Sequence, residues 1–142
     1  MMYEFVWTHK NERHTERALP LVWHGQHLRR MGWANPIVLV FLEGLDLLSR
    51  EYRRDLESLG YQILDGSALA RRLLRDVHPL LRGFPATEKL WLLRWTVFGN
   101  LVRGSSEDTA ILIDSDLVFM ADPRDLANLT GPRLVANEQD SN

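Results

Sequence analysis

Two apolar stretches decide the fold: Pro36–Leu42, with the sequence PIVLVFL, and Thr109–Ile113, with the sequence TAILI, which runs directly into Asp114, Ser115 and Asp116. The first stretch is continuously apolar after its proline and lacks in-and-out alternation. That pattern is typical of a parallel strand that helices cover on both faces. The sequence therefore predicts an α/β protein in which a second buried strand ends at a pair of aspartates.

Strands and amphipathic helices alternate along the rest of the chain. Strands are predicted at Tyr3–Thr8, Pro36–Leu42, Tyr61–Leu64 and Thr109–Ile113. Helices are predicted from Leu19 or Pro20 to Gly32, from Leu48 to Gly60, from Ser67 to Val77, from Thr87 to Gly104 and from Asp122 to about Thr130. This alternation predicts a single domain, residues 1–142, with a three-layer, mainly parallel, Rossmann-like sheet and right-handed crossovers.

The composition is that of an ordinary folded protein and excludes several functions. Of 142 residues, 45% are apolar and 25% are charged, and the formal charge of −2 gives no field that attracts nucleic acid. Cysteine is absent, so any metal needs oxygen or imidazole ligands. Apolar runs fall short of the roughly 20 residues of a membrane span, and the N-terminus lacks the pattern of a signal peptide. We therefore expect a cytoplasmic location.

The aspartate pair is the strongest chemical signal in the sequence. In a strand, side chains two residues apart project from the same face, so Asp114 and Asp116 would place two carboxylates together at the mouth of the sheet. Like charges at that distance need compensation, which a divalent cation such as Mg²⁺ or Mn²⁺ supplies. The alternative is that both aspartates only cap the turn after the strand.

The run from Ala110 to Phe119, AILIDSDLVF, followed by Ala121-Asp122-Pro123 and a short helix, resembles the Asp-x-Asp region of GT-A-fold glycosyltransferases. The order of the remaining elements agrees with that family over nearly the whole chain. The resemblance implies a domain that binds a nucleotide-diphosphate sugar through a divalent metal, Mn²⁺ or Mg²⁺. It also favours a uridine nucleotide, although no residue of this sequence specifies the base.

The resemblance assigns roles to particular residues. Asp116 is the expected direct metal ligand, and Asp114 is expected to contact the metal or the ribose. Ser115 lies between them in the same nucleotide-sugar motif. Thr8, at the end of the first strand, is expected near the nucleobase, and Lys89, on the helix before the motif strand, is expected to reach the nucleotide. No residue is identified as the catalytic base.

The length departs from the family pattern. Glycosyltransferases of this fold are considerably longer, and their second half supplies the acceptor surface and any catalytic base. The resemblance therefore implies a truncated domain without its acceptor half, which a homo-oligomer or a partner chain would complete. On this expectation the isolated monomer transfers no sugar.

Two other functions fit the same aspartates. The sequence from Asp114 to Val118 also matches the Asp-x-Asp-x-Val pattern of haloacid-dehalogenase-like phosphohydrolases, in which Asp114 would be the nucleophile and Asp116 the acid or base. That family needs a later lysine and acidic pair, whereas the lysines here are Lys10 and Lys89. The other alternative is a non-catalytic nucleotide-binding or assembly module.

Two further pairs have weaker signals. His24 and His27, spaced i and i+3, are interpreted as surface or packing residues because no carboxylate is near them in sequence. Trp91 and Trp95 lie one helical turn apart and are interpreted as core or interface residues rather than as a sugar platform.

Overall fold

The computed structural model describes most of the chain up to the aspartate motif. The described residues are 1–8, 20–77, 81, 83–106, 109–114, 119–120 and 125. Ser115 and Asp116 lie outside them, as does nearly all of the helix predicted after Asp122.

Four strands and four helices alternate in the described part of the chain. The strands are β1, Met2–Trp7; β2, Ile37–Glu43; β3, Tyr61–Asp65; and β4, Ile111–Ile113. The helices are α1, Leu21–Arg30; α2, Arg50–Ser58; α3, Ser67–Val77; and α4, Ala86–Arg103, and a 3-10 turn lies at Leu45–Leu47. These bounds confirm the predicted order of elements to within a few residues.

The four described strands form one sheet in the order β3-β2-β1-β4, and every pair is parallel. Met2 of β1 is level with Ile37 of β2 and with Ile111 of β4. Strand β1 is thus hydrogen-bonded on both sides, which explains why it is buried along most of its length. The predicted parallel α/β architecture is confirmed.

Helices cover both faces of this sheet, which gives three layers. Leu21 and Leu28 of α1 and Leu56 of α2 pack with Leu39 of β2 on one face. On the other face, Phe5 and Val40 of the sheet pack with residues of α3 and α4, which include Ala70, Leu90, Leu93 and Val97. At about 25 cal/mol per Å² of buried apolar area, these two cores are the main source of folding free energy.

The direction in which the chain adds strands reverses between β1 and β4. The chain builds outward from β1 to β2 and β3, then crosses the opposite face through α3 and α4 to reach the other side of β1. Right-handed crossovers require this change of face when the direction along the sheet reverses. In such sheets, ligands bind beyond the carboxyl ends of the strands at the reversal point. Thr8 follows β1 and Asp114 follows β4 at this edge.

Among the described helices, none combines the length and apolar character that a membrane crossing requires.

Candidate functional site

Asp114 lies at the carboxyl end of β4 and is held by an arginine of α4. Arg94 donates from Nη1 to Oδ1 of Asp114, and its Nη2 lies 3.5 Å from Oδ2. The Asp114 side chain is 43% exposed, whereas that of Arg94 is 9% exposed. The carboxylate is therefore oriented from the protein side, and the rest of it faces solvent.

The position of Arg94 follows from the apolar pattern of α4. Leu90, Leu93 and Val97 form the stripe that packs on the sheet, and Arg94 is on the flank of that stripe. Its guanidinium carbon lies 5.0 Å from the ring centroid of Trp91 and 5.5 Å from that of Trp95. Two indoles and one carboxylate thus surround the cation.

Arg94 is a site residue that the sequence analysis missed. The available signal was its place on the helix before the motif strand, flanked at positions −3 and +1 by tryptophans. Lys89, the predicted nucleotide contact, is five residues earlier on the same helix. At 3.6 residues per turn it lies about 140° around the helix axis from Arg94. Within the described residues, Asp114 is paired with Arg94 and Lys89 takes part in no ion pair. The role of Lys89 stays a prediction.

Thr8 is at the predicted edge but is largely covered. Its backbone N–H donates to the carbonyl of Glu43 at 3.2 Å, which ties the ends of β1 and β2 together. Gly44 then turns with φ of +83°, and a Cβ there would lie 1.9 Å from the Thr8 carbonyl oxygen. Glycine is required because the turn needs both a left-handed backbone and this close approach. Thr8 is only 6% exposed, so its expected contact with a nucleobase stays a prediction.

The predicted metal ligands are only partly described. Asp114 supplies a half-exposed carboxylate, and Ser115 and Asp116 lie outside the described residues. In the described part of the chain, no three His, Cys, Asp or Glu side chains are grouped so that they could hold a metal ion. The expectation that both aspartates share one face of the strand is therefore neither confirmed nor contradicted.

A buried acid and base pair lies on the α1 side of the central strand. Glu4 of β1 and His24 of α1 are both 0% exposed, and His24 Nδ1 is 3.3 Å from each carboxylate oxygen of Glu4. The Tyr61 hydroxyl donates to the Leu21 carbonyl at 3.1 Å. Burial above all, and then the Glu4 carboxylate, raise the pKa of Tyr61 well above its usual range.

His24 is buried, which confirms its interpretation as a packing residue, but it does have a carboxylate partner, Glu4. It comes from β1, 20 positions earlier, where no local sequence pattern would reveal it. His27, one turn later, is part-buried: its Nε2 is 2.9 Å from the Phe119 carbonyl oxygen, and its ring stacks on Trp23 with centroids 5.3 Å apart. Phe119 also stacks on His24 at 6.5 Å. Both histidines therefore contact Phe119, which follows Asp116 by three residues.

Seven large apolar side chains of the described residues are exposed: Trp23, Leu47, Leu64, Phe84, Trp91, Trp95 and Met120. Trp91 and Trp95 are 49% and 46% exposed, so they are not core residues, and their interpretation as interface residues stays a prediction. Their exposed flank lies beside the core stripe of α4 rather than on it.

Comparison with protein-family models, with curated proteins and with solved structures finds no match to this chain. The features of the described residues that bear on function are the parallel sheet, its reversal point between β1 and β4, and the pairing of Asp114 with Arg94.

Proposed function

We propose that this chain binds a nucleotide-diphosphate sugar at the carboxyl edge of its sheet, as a metal-dependent glycosyltransferase domain. The observation that carries the proposal is the position of Asp114. It directly follows β4, at the reversal point of the sheet, with a half-exposed carboxylate that Arg94 orients. An oriented acidic group at this place is what a diphosphate and its cation need.

Arg94 supports a division of roles between the two aspartates. Because its guanidinium compensates the charge of Asp114, that carboxylate is suited to position a ribose hydroxyl or to share a metal. Asp116 then makes the direct metal contact, as the resemblance to the GT-A family implies. The base lies toward Thr8 and the diphosphate toward the aspartates.

Asp114 and Asp116 would supply carboxylate oxygens, which are the ligands that a hard divalent cation takes. Magnesium and manganese accept one or two carboxylates and complete their coordination with water and substrate phosphate oxygens, so a full protein cage is not needed. A bound cation would neutralise the charge that develops on the departing nucleoside diphosphate.

Titration calorimetry with uridine diphosphate and guanosine diphosphate tests the proposal, each with Mn²⁺ and with a chelator. Affinity should be higher with the metal, and Asp116→Ala should abolish that difference. Asp55→Asn, an exposed carboxylate change on α2, is the matched control and should leave it intact. Equal affinities with metal and with chelator would contradict the proposal.

Two other results would favour the alternative functions. Hydrolysis of a phosphate monoester that is lost in Asp114→Asn would favour the phosphohydrolase. Nucleotide binding that needs neither the metal nor the aspartates would favour a non-catalytic nucleotide-binding module.

A further inference from the structure

Three arginines of α2 line an open depression on the surface of the chain. Arg50, Arg53 and Arg54, here called the arginine cluster, surround a volume of about 480 Å³ together with Glu57. The arginines occupy positions i, i+3 and i+4 of the helix, so their side chains lie on one face of it. None of the three is buried. The depression is therefore a solvent-accessible feature of the outer surface of α2.

The charges of the arginine cluster are not compensated within the chain. No ion pair of the described residues involves a side chain of α2, although Glu57 follows Arg53 by one helical turn. Like charges three or four residues apart on a helix repel each other and destabilise it. Three arginines and one glutamate give the depression a formal charge of +2, on a chain whose formal charge is −2. A bound anion would relieve this local repulsion.

Most guanidinium donors of the cluster are available to a ligand. Arg50 donates no side-chain hydrogen bond to any described residue, and Arg54 uses only its Nε, which lies 3.4 Å from the Arg50 carbonyl oxygen. Arg53 donates from Nη2 to the Leu45 carbonyl, and its Nη1 has no partner in the described part of the chain. The backbone thus holds one arginine in place, and all three keep donors for an anion.

The arginine cluster is separate from the candidate site at Asp114. Helix α2 connects β2 to β3, at one end of the strand order, whereas Asp114 follows β4 at the other end. Helix α2 also packs on the opposite face of the sheet from α4, which carries Arg94. An anion at the cluster therefore occupies a second site, which shares no residue with the proposed nucleotide site.

We propose that the arginine cluster binds a phosphate monoester of a small organic molecule. Such a group carries close to two negative charges at neutral pH, which matches the formal charge of the depression, whereas a carboxylate or a phosphate diester carries one. The planar forks of arginine pair with phosphate oxygens through parallel hydrogen bonds. A volume of about 480 Å³ is in the usual range for small-molecule sites, so it has room for the organic part. A long polyanion such as nucleic acid would be repelled by the net negative charge of the chain.

Titration of the whole chain with phosphate compounds tests the inference. The probes are glycerol phosphate, inorganic phosphate and dimethyl phosphate, with sodium chloride at matched ionic strength, and a chelator is present throughout to exclude metal-dependent binding. Glycerol phosphate should shift the backbone amide NMR signals of α2. Dimethyl phosphate is a monoanion and should bind about fivefold more weakly or worse, because it lacks one charge.

A double variant removes most of the cluster without changing the core. Arg50→Gln/Arg54→Gln should weaken glycerol phosphate binding by about tenfold or more. It should not lower the melting temperature, because glutamine favours a helix and the repulsion between arginines falls. Arg53 is left in place because it also bonds to the backbone. The matched control, Arg72→Gln/Arg75→Gln, removes two exposed arginines from α3 and should leave the affinity unchanged.

Several results would overturn the inference. These are equal binding of glycerol phosphate by the Arg50→Gln/Arg54→Gln variant, equal binding of dimethyl phosphate, and the same NMR shifts with sodium chloride alone. Binding of inorganic phosphate without any binding of glycerol phosphate would also overturn it, because the ligand would then be a free ion.

This inference does not depend on the proposed function, and the two can fail separately. Phosphate binding that needs the arginine cluster, in a protein that shows no metal-dependent diphosphate binding, would overturn only the proposed function. Metal-dependent diphosphate binding that needs Asp116, without any phosphate binding in the presence of the chelator, would overturn only the arginine site.

Discussion

The buried pair of Glu4 and His24 allows a strong test of how this fold is stabilised. Both side chains are 0% exposed, and they join the central strand to α1 through two contacts of 3.3 Å. Because both side chains are shielded from solvent, water cannot replace the hydrogen bond that either group loses when its partner is removed. We consider three variants: Glu4→Leu, His24→Leu and the double variant that carries both changes.

Each single variant should be strongly destabilised. Removing one member of a fully buried hydrogen-bonded pair costs about 3 kcal/mol, because the other polar group is left without a partner in an apolar environment. That is a large share of the roughly 5–15 kcal/mol that stabilises a typical domain. The double variant removes both polar groups and fills the space with apolar side chains, so its free energy of unfolding should exceed that of either single variant.

Urea unfolding followed by circular dichroism measures these differences, and thermal melts should show losses of roughly 10 °C for the single variants. Gln26→Leu on α1 and Glu57→Leu on α2 alter exposed positions and should change stability by less than about 0.5 kcal/mol. If a single variant fails to fold, the recovery of folding in the double variant is itself the predicted result. The reasoning is refuted if the single variants lose less than about 1 kcal/mol, or if their losses simply add in the double variant.

Three further predictions concern local features of the fold. Because burial raises the pKa of Tyr61 in the folded state above the ordinary value of 10.0, folded protein keeps a proton that unfolded protein loses. The free energy of unfolding should therefore fall as pH rises above about 10, and Tyr61→Phe should remove that dependence in urea titrations. Gly44→Ala would place a Cβ 1.9 Å from the Thr8 carbonyl oxygen at φ of +83°, so it should lower the free energy of unfolding by about 2 kcal/mol or more. Gly83→Ala is the control, because a Cβ there meets nothing within 4 Å. Thermal melts should show a loss for the first variant and little change for the second. Asp65 accepts from the Ser67 N–H at 2.9 Å, and this hydrogen bonding lowers the pKa of the carboxyl below 3.8. Asp65→Ala should lower the free energy of unfolding by about 0.5–1 kcal/mol near neutral pH, a value reduced because the carboxylate is exposed. The difference from the native chain should vanish as pH falls through the lowered pKa of Asp65. A difference that persists in acid would contradict this cause.

Much of the fold could be predicted because its signals are local. The unbroken apolar run of β2 indicates a strand covered on both faces, and the glycines that end α1 and α2 adopt the positive φ that such ends favour: Gly32 at 90° and Gly60 at 84°. The same pattern placed Asp114 directly after a strand. Asp116 and Ser115 stay predictions, because they lie outside the described residues.

The contacts of the candidate site could not be predicted in the same way. Arg94 and Asp114 are 20 residues apart, as are Glu4 and His24. Nothing in their sequence neighbourhoods specifies either pairing, because a side chain meets such a partner only after the strands have registered and the helices have packed. Trp91 and Trp95 illustrate the same limit, since a helical stripe shows that residues share a face but not whether another element covers it.

The sequence by itself determined the order of strands and helices, the parallel class of the sheet and the aspartate at its edge. These depend on hydrophobic periodicity and on the backbone preferences of glycine, which act over a few residues. Tertiary structure alone decided that Arg94 holds Asp114, that β1 supplies the carboxylate for His24, and that two tryptophans stay exposed beside the site. Those outcomes depend on the relative positions of elements distant in sequence, and the free energy that fixes them comes from the packing of both cores at once.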